Sequence, residues 1–446
     1  MSKYRLVASE CGVHLDSHVV TGGGSDDTQA LQRLLDRAQE WGQLTLVLDG
    51  AALISAPLKL YSNTTLECPD ASCGLFLQDG SNCCMLRNAH FDLEQIHDEN
   101  IRILGGSFNH NAPGQLHDVP PTEQNSICGG WVIGMEFYGV KNMVVRDVTM
   151  LNQRTFTMLF SNWAHVTMEN IYIDLREHVD AQNQDGLHFW GPGRFLTLRG
   201  IRGSSGDDFI ALAPDENDFA SSIEDVVIDG VQLEGADQGI RLLSRAAGRL
   251  DRVLIKNVTG TYKSYGFIVN PWFDGEGGNY GNIVFDTVDL RPLPNNYDYA
   301  PPFLFKLGGN IEQLTLRNLY HHRPSQAHRL IECGGKYMVD QPESPETPTH
   351  IERLVIDGLY VSEDDPAGIE DAYLRNQSHV DEVVMRGVYF TRSEALPRAG
   401  SLIRNEAGGS IGALRLSDIH VQGLDSLVEA PAGSISRRSE NNVTLE

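Results

Sequence analysis

The sequence predicts an all-β fold: a parallel β-helix, or solenoid, behind an N-terminal cap that contains one helix. Three observations predict it. From about residue 90 the chain repeats one pattern, apolar alternation, then a polar Asp/Asn/Gly pair, then alternation again, as in "MVVRDVTMLN", "VTMENIYID", "VVIDGVQLEG", "VLIKNVTGT", "LVIDGLYVS" and "LRLSDIHVQG". The pattern recurs at roughly 20 to 35 residues, the interval of a stacked array. Helical periodicity almost vanishes after about residue 45, while a second set of short runs ("LHFWG", "FIALA", "IRLLS", "FIVNP", "FLFKLGG") lies between the first. Two or three short strands per repeat let each coil stack on the last at about 4.8 Å. A propeller requires four longer strands per blade and a period of about 40 to 50.

In chain order, residues 1–75 read as cap and first strands. Ser25, Asp26 or Asp27 can cap a helix, Ala30, Leu31, Leu34, Leu35 and Ala38 recur at helical spacing, and Gly42 can stop it. The runs "LTLVLDG", "ALISAPLKL" and "TTLEC" then read as strands. Residues 76–430 read as the β-helix proper. Its apolar ladder is Val144, Ile171, Leu198, Val227, Ile255 and Ile283, expected in the core. "FNHNAPGQLHD" (108–118) and "PWFDGEGGNYGN" (271–282) read as polar insertions, either cleft walls or surface turns. "HHRPSQAH" at His321 reads as an exposed loop, and residues 431–446 as a loose polar tail.

The 446 residues carry a formal net charge of -25 and are 41% hydrophobic and 21% charged. That acidity argues against nucleic acid and anionic membrane as partners. No apolar run reaches the roughly 18 residues of a span. "MSKYRLVASECGV" lacks the apolar core of a signal peptide, so a cytoplasmic protein is expected. Seven cysteines, two of them adjacent (Cys83 and Cys84) and none in a CxxC pair, indicate neither a disulfide framework nor a zinc knuckle. No cofactor is expected. Flat stacked sheets favour self-association, so a homo-oligomer is open.

The stretch "NQDGLHFW…GDDFIAL" concentrates the chemistry. Alignment of "QDGLHFW", "DDFIALA", "QGIRLLS" and "YGFIVNP" on their alternation turns Leu187, Phe209, Ile240 and Phe267 inward, and His188, Ile210, Arg241 and Ile268 outward. Asp185, Asp207, Gln238 and Tyr265 then share one column, with Asp208 beside it, level with Gly186. Equivalent positions on adjacent coils lie about 5 Å apart, and three carboxyls that close cannot all ionise cheaply. Solvated turn residues and a calcium cage are the competing readings. Asp207 and Asp208 can face one cleft only if the backbone bends, which Gly206 permits. Trp190, Trp272 and Phe273 could stack on a sugar ring. His188 is either an ordinary exposed histidine or part of the site.

"NQDG" followed by "GDDFIAL", then "DQGIRLLS" and "YGFIVNPWF", resembles the motifs of family 28 glycoside hydrolases, the polygalacturonases. The cap "GGGSDDTQALQRLL…LISAPLKL" is similar to that of pectate-lyase-like right-handed β-helices. The resemblance implies inverting hydrolysis of a glycosidic bond, without metal, on a carbohydrate substrate. By position it makes Asp207 the general acid, Asp185 and Asp208 the acids that hold and activate water, and Arg241 a grip on the substrate. Asn183, Gln238 and Tyr265 fall among the binding positions. The family histidine between the acids and the arginine has no counterpart here. Leu243 stands where the family has lysine, and Phe273 where it has tyrosine. An acidic and a neutral sugar are therefore both open, as are a uronate lyase or epimerase and a non-catalytic carbohydrate-binding β-helix.

Overall fold

The computed structural model describes residues 4–120, 130–175, 183–245, 247–271, 277–294, 301–324, 326, 329–336, 346 and 349–446. The chain divides into two compact units, Met1–Ala211 and Leu212–Glu446.

The first unit builds three parallel sheets. One stacks Arg5–Val7, Leu44–Val47, Thr64–Glu67, Arg102–Leu104, Met135–Arg146, Met158–Asp174 and Gly193–Gly203 in turn. A second runs Ala51–Ile54, Gly74–Leu77, Ser107–Asn109 and Thr149–Leu151. The third, which bears on function, runs Leu58–Leu60, Leu86–Asn88, Met135–Arg146, Met158–Asp174 and Leu187–Trp190. The cap is thus already part of the stack. Its helix is two segments, Thr28–Leu35 and Arg37–Trp41, ended by left-handed Gly42 and burying Leu31, Leu35 and Ala38. Asp27 is not a side-chain cap: its carboxylate accepts the backbone amides of His14 and Leu15 at 2.9 Å each.

In the second unit, Ile223–Leu242 and Leu250–Val269 are followed by two stacks. One is Tyr280–Pro292, Gly309–His322, Thr349–Glu363, His379–Arg392, Ser410–Gln422 and Ile435–Leu445. The other is Phe303–Leu307, Arg329–Cys333, Ala372–Asn376, Ser401–Asn405 and Ser426–Glu429. The polar tail is therefore a strand over 435–445, because its amides complete the ladder of the preceding coil. His321 likewise lies inside a strand and is buried.

The polar pair at each bend does two jobs. Asn170, Asn257, Asn318 and Asn442 take positive φ, which short polar side chains tolerate. Their amides also donate to an acid one coil away, as Asn257 does to Asp229 at 2.7 Å and Asn318 to Asp286 at 2.8 Å. The apolar ladder is shifted by one at two places. Val144 pairs with Thr167 on the outer face, while Val145, Met168 and Leu198 line the core. Val227 is likewise replaced inside by Ile228, level with Ile255 and Phe285.

Segment 108–118 begins in the core and ends at the surface, where Leu116 and Asp118 are exposed. Phe108 and His110 are fully buried. His110 accepts the Arg154 amide at Nδ1 (3.1 Å) and, through Nε2–H, donates to the Cys83 carbonyl (3.1 Å). The bond accepted at Nδ1 requires the neutral ring, and burial pushes its pKa down to about 4. Between the ordinary histidine value and 4, the unfolded chain takes up a proton that the folded one refuses. Stability is thus full above the ordinary value and is lost as pH falls through that window, by about 3 kcal/mol in all. Urea unfolding at pH 7 and pH 4.5 checks this. His110→Gln should flatten this part of the pH dependence, and an unchanged profile in the variant would refute the assignment.

Candidate active site

The strand Leu187–Trp190 pairs with Met158, Leu159 and Phe160, so Leu187 and Phe189 enter the core and His188 takes the outer column. That column runs Lys59, Arg87, Glu136, Leu159, His188. The turn before the strand admits only glycine at Gly186, where a Cβ would sit 2.2 Å from the Phe209 carbonyl oxygen. Here the "NQDG" signature has a steric cause.

The ladder next to this turn is irregular. The Gly206 amide donates to the Gln184 carbonyl (3.1 Å), which sets Gly206 opposite Asp185. The Gly186 amide donates to the Asp208 carbonyl (2.9 Å), which sets Asp208 opposite Asp185 as well. Three residues, Gly206 to Asp208, face one, so the chain bulges with Asp207 at the apex. This corrects the register expected from alternation. Asp208, not Asp207, is level with Asp185, and Phe209, not Asp208, is level with Gly186. Ile210 is accordingly level with Leu187, on the inward side. The bulge gathers Asp185, Asp207 and Asp208 around one turn. Asp185 and Asp208 are buried at 2% exposure each, while Asp207 is half-buried, its carbonyl accepting the Ser205 hydroxyl at 2.8 Å.

Asp185 is held through both its backbone and its side chain. Its carbonyl accepts both the amide and the hydroxyl of Thr157, at 2.8 and 3.0 Å. Its Oδ2 lies 2.7 Å from His188 Nδ1. His188 is buried rather than exposed, with its ring stacked flat on Phe156 at 4.4 Å and edge-on to Trp190 at 6.1 Å. Trp131 in turn meets Phe156 edge-on at 5.3 Å. The sequence reading missed Phe156 and Trp131. The run "RTFTMLF" carries no chemical signature, and only the stacking of coils reveals that its phenylalanine backs the histidine.

The other proposed binding residues separate. Asn183 is half-buried in a left-handed turn. Trp190 is 6% exposed and its carbonyl accepts the Trp163 indole N–H, so it packs under the site instead of forming an open platform. In the second unit Gln238 is level with Tyr265, and Arg241 with Ile268. Tyr265 is fully buried, stacked on Phe303 at 5.5 Å, and offers no free face to a ligand. Trp272 and Phe273 lie outside the described residues. The Arg241 column continues through Lys306, Glu332, Arg375 and Arg404. Lys306 and Glu332 form a fully buried ion pair at 2.7 Å. It could have been found from the charge at the fourth place of both "FLFKL" and "RLIEC".

The coils and this turn define a class, the right-handed parallel β-helix proteins. Within it the chain is polygalacturonase-like. It is 22% identical over 298 residues to a polygalacturonase of Persea americana, covering 64% of this chain and 60% of that protein. It is 23% identical over 183 residues to an exopolygalacturonase of Oenothera organensis, covering 39% and 48%. The chain thus spans about three fifths or less of the length of these relatives. Among solved structures, the family 28 exopolygalacturonase of Yersinia enterocolitica superposes with a TM-score of 0.59 at 14% identity, over 99% of this chain and 78% of that one. The tailspike of E. coli bacteriophage HK620, solved with a pentasaccharide, gives 0.59 at 12% identity, over 98% and 78%. No protein-family model matches the chain.

Proposed function

We propose that the protein is a glycoside hydrolase that cleaves a glycosidic bond of a pectin-like oligosaccharide or polysaccharide with inversion. The observation that carries the proposal is the bulge, which brings Asp185 and Asp208 level and leaves Asp207 more accessible between them. Asp207 gives its proton to the leaving glycosidic oxygen as the bond to the anomeric carbon breaks. Asp185 and Asp208 hold a water on the opposite face of the sugar and take its proton as it attacks. His188 fixes the Asp185 carboxylate through Oδ2. Inversion requires the acid and base carboxyls to be about 6.5 to 9.5 Å apart, so that the water fits. Side chains splayed from backbone positions about 5 Å apart can reach that spacing. Arg241 is assigned to the substrate by its motif, "DQGIR". The polygalacturonase relatives support the pectin-like substrate class.

The test is a reducing-end release assay over pectic, rhamnose-containing and neutral glycans, with NMR of the newly released anomer. Release with inverted configuration is expected, unchanged by chelator. A retained anomer would defeat the mechanism. An unsaturated product absorbing in the ultraviolet would make the protein a lyase.

A further inference from the structure

A second cluster of chemistry lies on the other stack of the second unit, on residues that the glycosidase reading does not use. His350 and His379 occupy the same place on consecutive coils, and Ser410 the same place on the next. Their imidazoles stack at 5.1 Å and 27°. Asp381 follows His379 by two residues, and its carboxylate reaches both rings. Oδ2 lies 3.1 Å from His350 Nε2, and Oδ1 lies 3.0 Å from His379 Nε2. One nitrogen from each ring and one carboxylate oxygen all fall within 4.8 Å of one another. The neighbouring cations are engaged elsewhere: Arg353 and Arg415 both pair with Glu382, at 3.1 and 2.7 Å. Asp381 is left to the histidines.

We propose that His350, His379 and Asp381 form a binding site for one divalent cation of the zinc class. Two imidazoles and a carboxylate are a common three-ligand set for zinc, with a fourth position open to water. Calcium and magnesium prefer all-oxygen shells, which two imidazoles do not supply. Tetrahedral bonds of about 2.0–2.2 Å hold ligand atoms roughly 3.3–3.6 Å apart. The two nitrogen–oxygen distances run to different oxygens of Asp381, so the carboxylate has to turn one oxygen to the ion and the stacked rings have to tilt towards each other. Ser410 completes the arrangement. Its hydroxyl lies 2.6 Å from His379 Nδ1, where it can accept the ring proton and leave the Nε2 lone pair for the metal. The acidic chain, at a net charge of -25, adds a field that concentrates cations. The bound ion would tie the coil of Thr349–Glu363 to that of His379–Arg392, so its effect is a cross-link between turns of the solenoid.

Calorimetric titration of the full chain with ZnCl2 at pH 7.5 is expected to show one site, and Co2+ to give the visible absorption of a tetrahedral centre. Zn2+ is expected to raise the melting temperature of the parent and not that of His350→Ala/His379→Ala. Asp381→Asn should weaken binding by about tenfold or more, and Ser410→Ala by about tenfold, as is usual when a partner of a ligating histidine is lost. His379 and Asp381 are exposed and His350 and Ser410 half-buried at the surface, so circular dichroism should show the variants folded. No zinc uptake by the parent, equal uptake by the double variant, or preference for Ca2+ would each overturn the assignment.

Discussion

Asp207→Asn is expected to lower glycan turnover by roughly two to four orders of magnitude, the usual worth of a positioned general acid, while the melting temperature stays within a few degrees. The two halves of this result have different causes. Asparagine nearly matches the volume of aspartate but has no proton acidic enough for the leaving oxygen. Asp207 is half-buried at the apex of a bulge whose shape is set by backbone bonds, Gly206 to Gln184 and Gly186 to Asp208, and these do not involve its side chain. Asp185→Asn should behave differently. That residue is buried and its carboxylate holds His188 at 2.7 Å, so the change should cost stability as well as activity. Full turnover by Asp207→Asn would remove it as the acid. Equal loss of stability in both variants would show that the bulge depends on the side chain after all.

The architecture was legible because a solenoid writes the same demand into every coil. Each bend needs a residue that tolerates positive φ and can bond to the coil beside it, so Asn, Asp and Gly recur at a fixed place, as at Asn257 and Asn318. Each strand needs apolar residues facing in. What alternation cannot show is where it is interrupted. Val144 for Val145 and Val227 for Ile228 are one-residue errors next to left-handed Asn142 and Asp225, where the bend resets the face that follows. The misplacement of Asp207 against Asp208 has the same origin. A bulge adds residues on one strand only, and nothing in the spacing of "SSGDDFIAL" says which of them are extra.

Burial was hidden for a related reason. His110, His188 and Trp190 read as exposed because polar or amphipathic residues usually are. The two histidines are inside because specific partners satisfy their ring nitrogens, Cys83 and Arg154 for His110 and Asp185 for His188. The final strand was read as a tail because all its side chains can be polar when no further coil covers them, and its backbone pairing leaves no trace in composition.

The largest structural effect is expected at a buried pair that the sequence analysis did not single out. Arg392 and Glu363 are 3% and 3% exposed, with Nε 2.7 Å from the carboxylate. The same guanidinium donates to the carbonyls of Pro397, Ala399 and Gly423 at 3.3, 2.9 and 2.8 Å, and to the Tyr373 hydroxyl at 3.2 Å. Tyr373 also donates to Glu363, and burial together with that nearby carboxylate holds its hydroxyl well above the usual phenol range. Arg392→Met fills much of the space but leaves the buried Glu363 carboxylate without its guanidinium and three part-buried carbonyls without a donor. Loss of one partner of a buried pair costs about 3–5 kcal/mol. In a unit of this size that lowers the melting temperature by on the order of 10 °C. Arg392→Met/Glu363→Leu removes the stranded charge and should recover part of the loss, but not the part due to the carbonyls. A single variant that melts within a degree or two of the parent would mean that water reaches this pair. A double variant no better than the single would mean that the carbonyl bonds, and not the charge, are what Arg392 supplies.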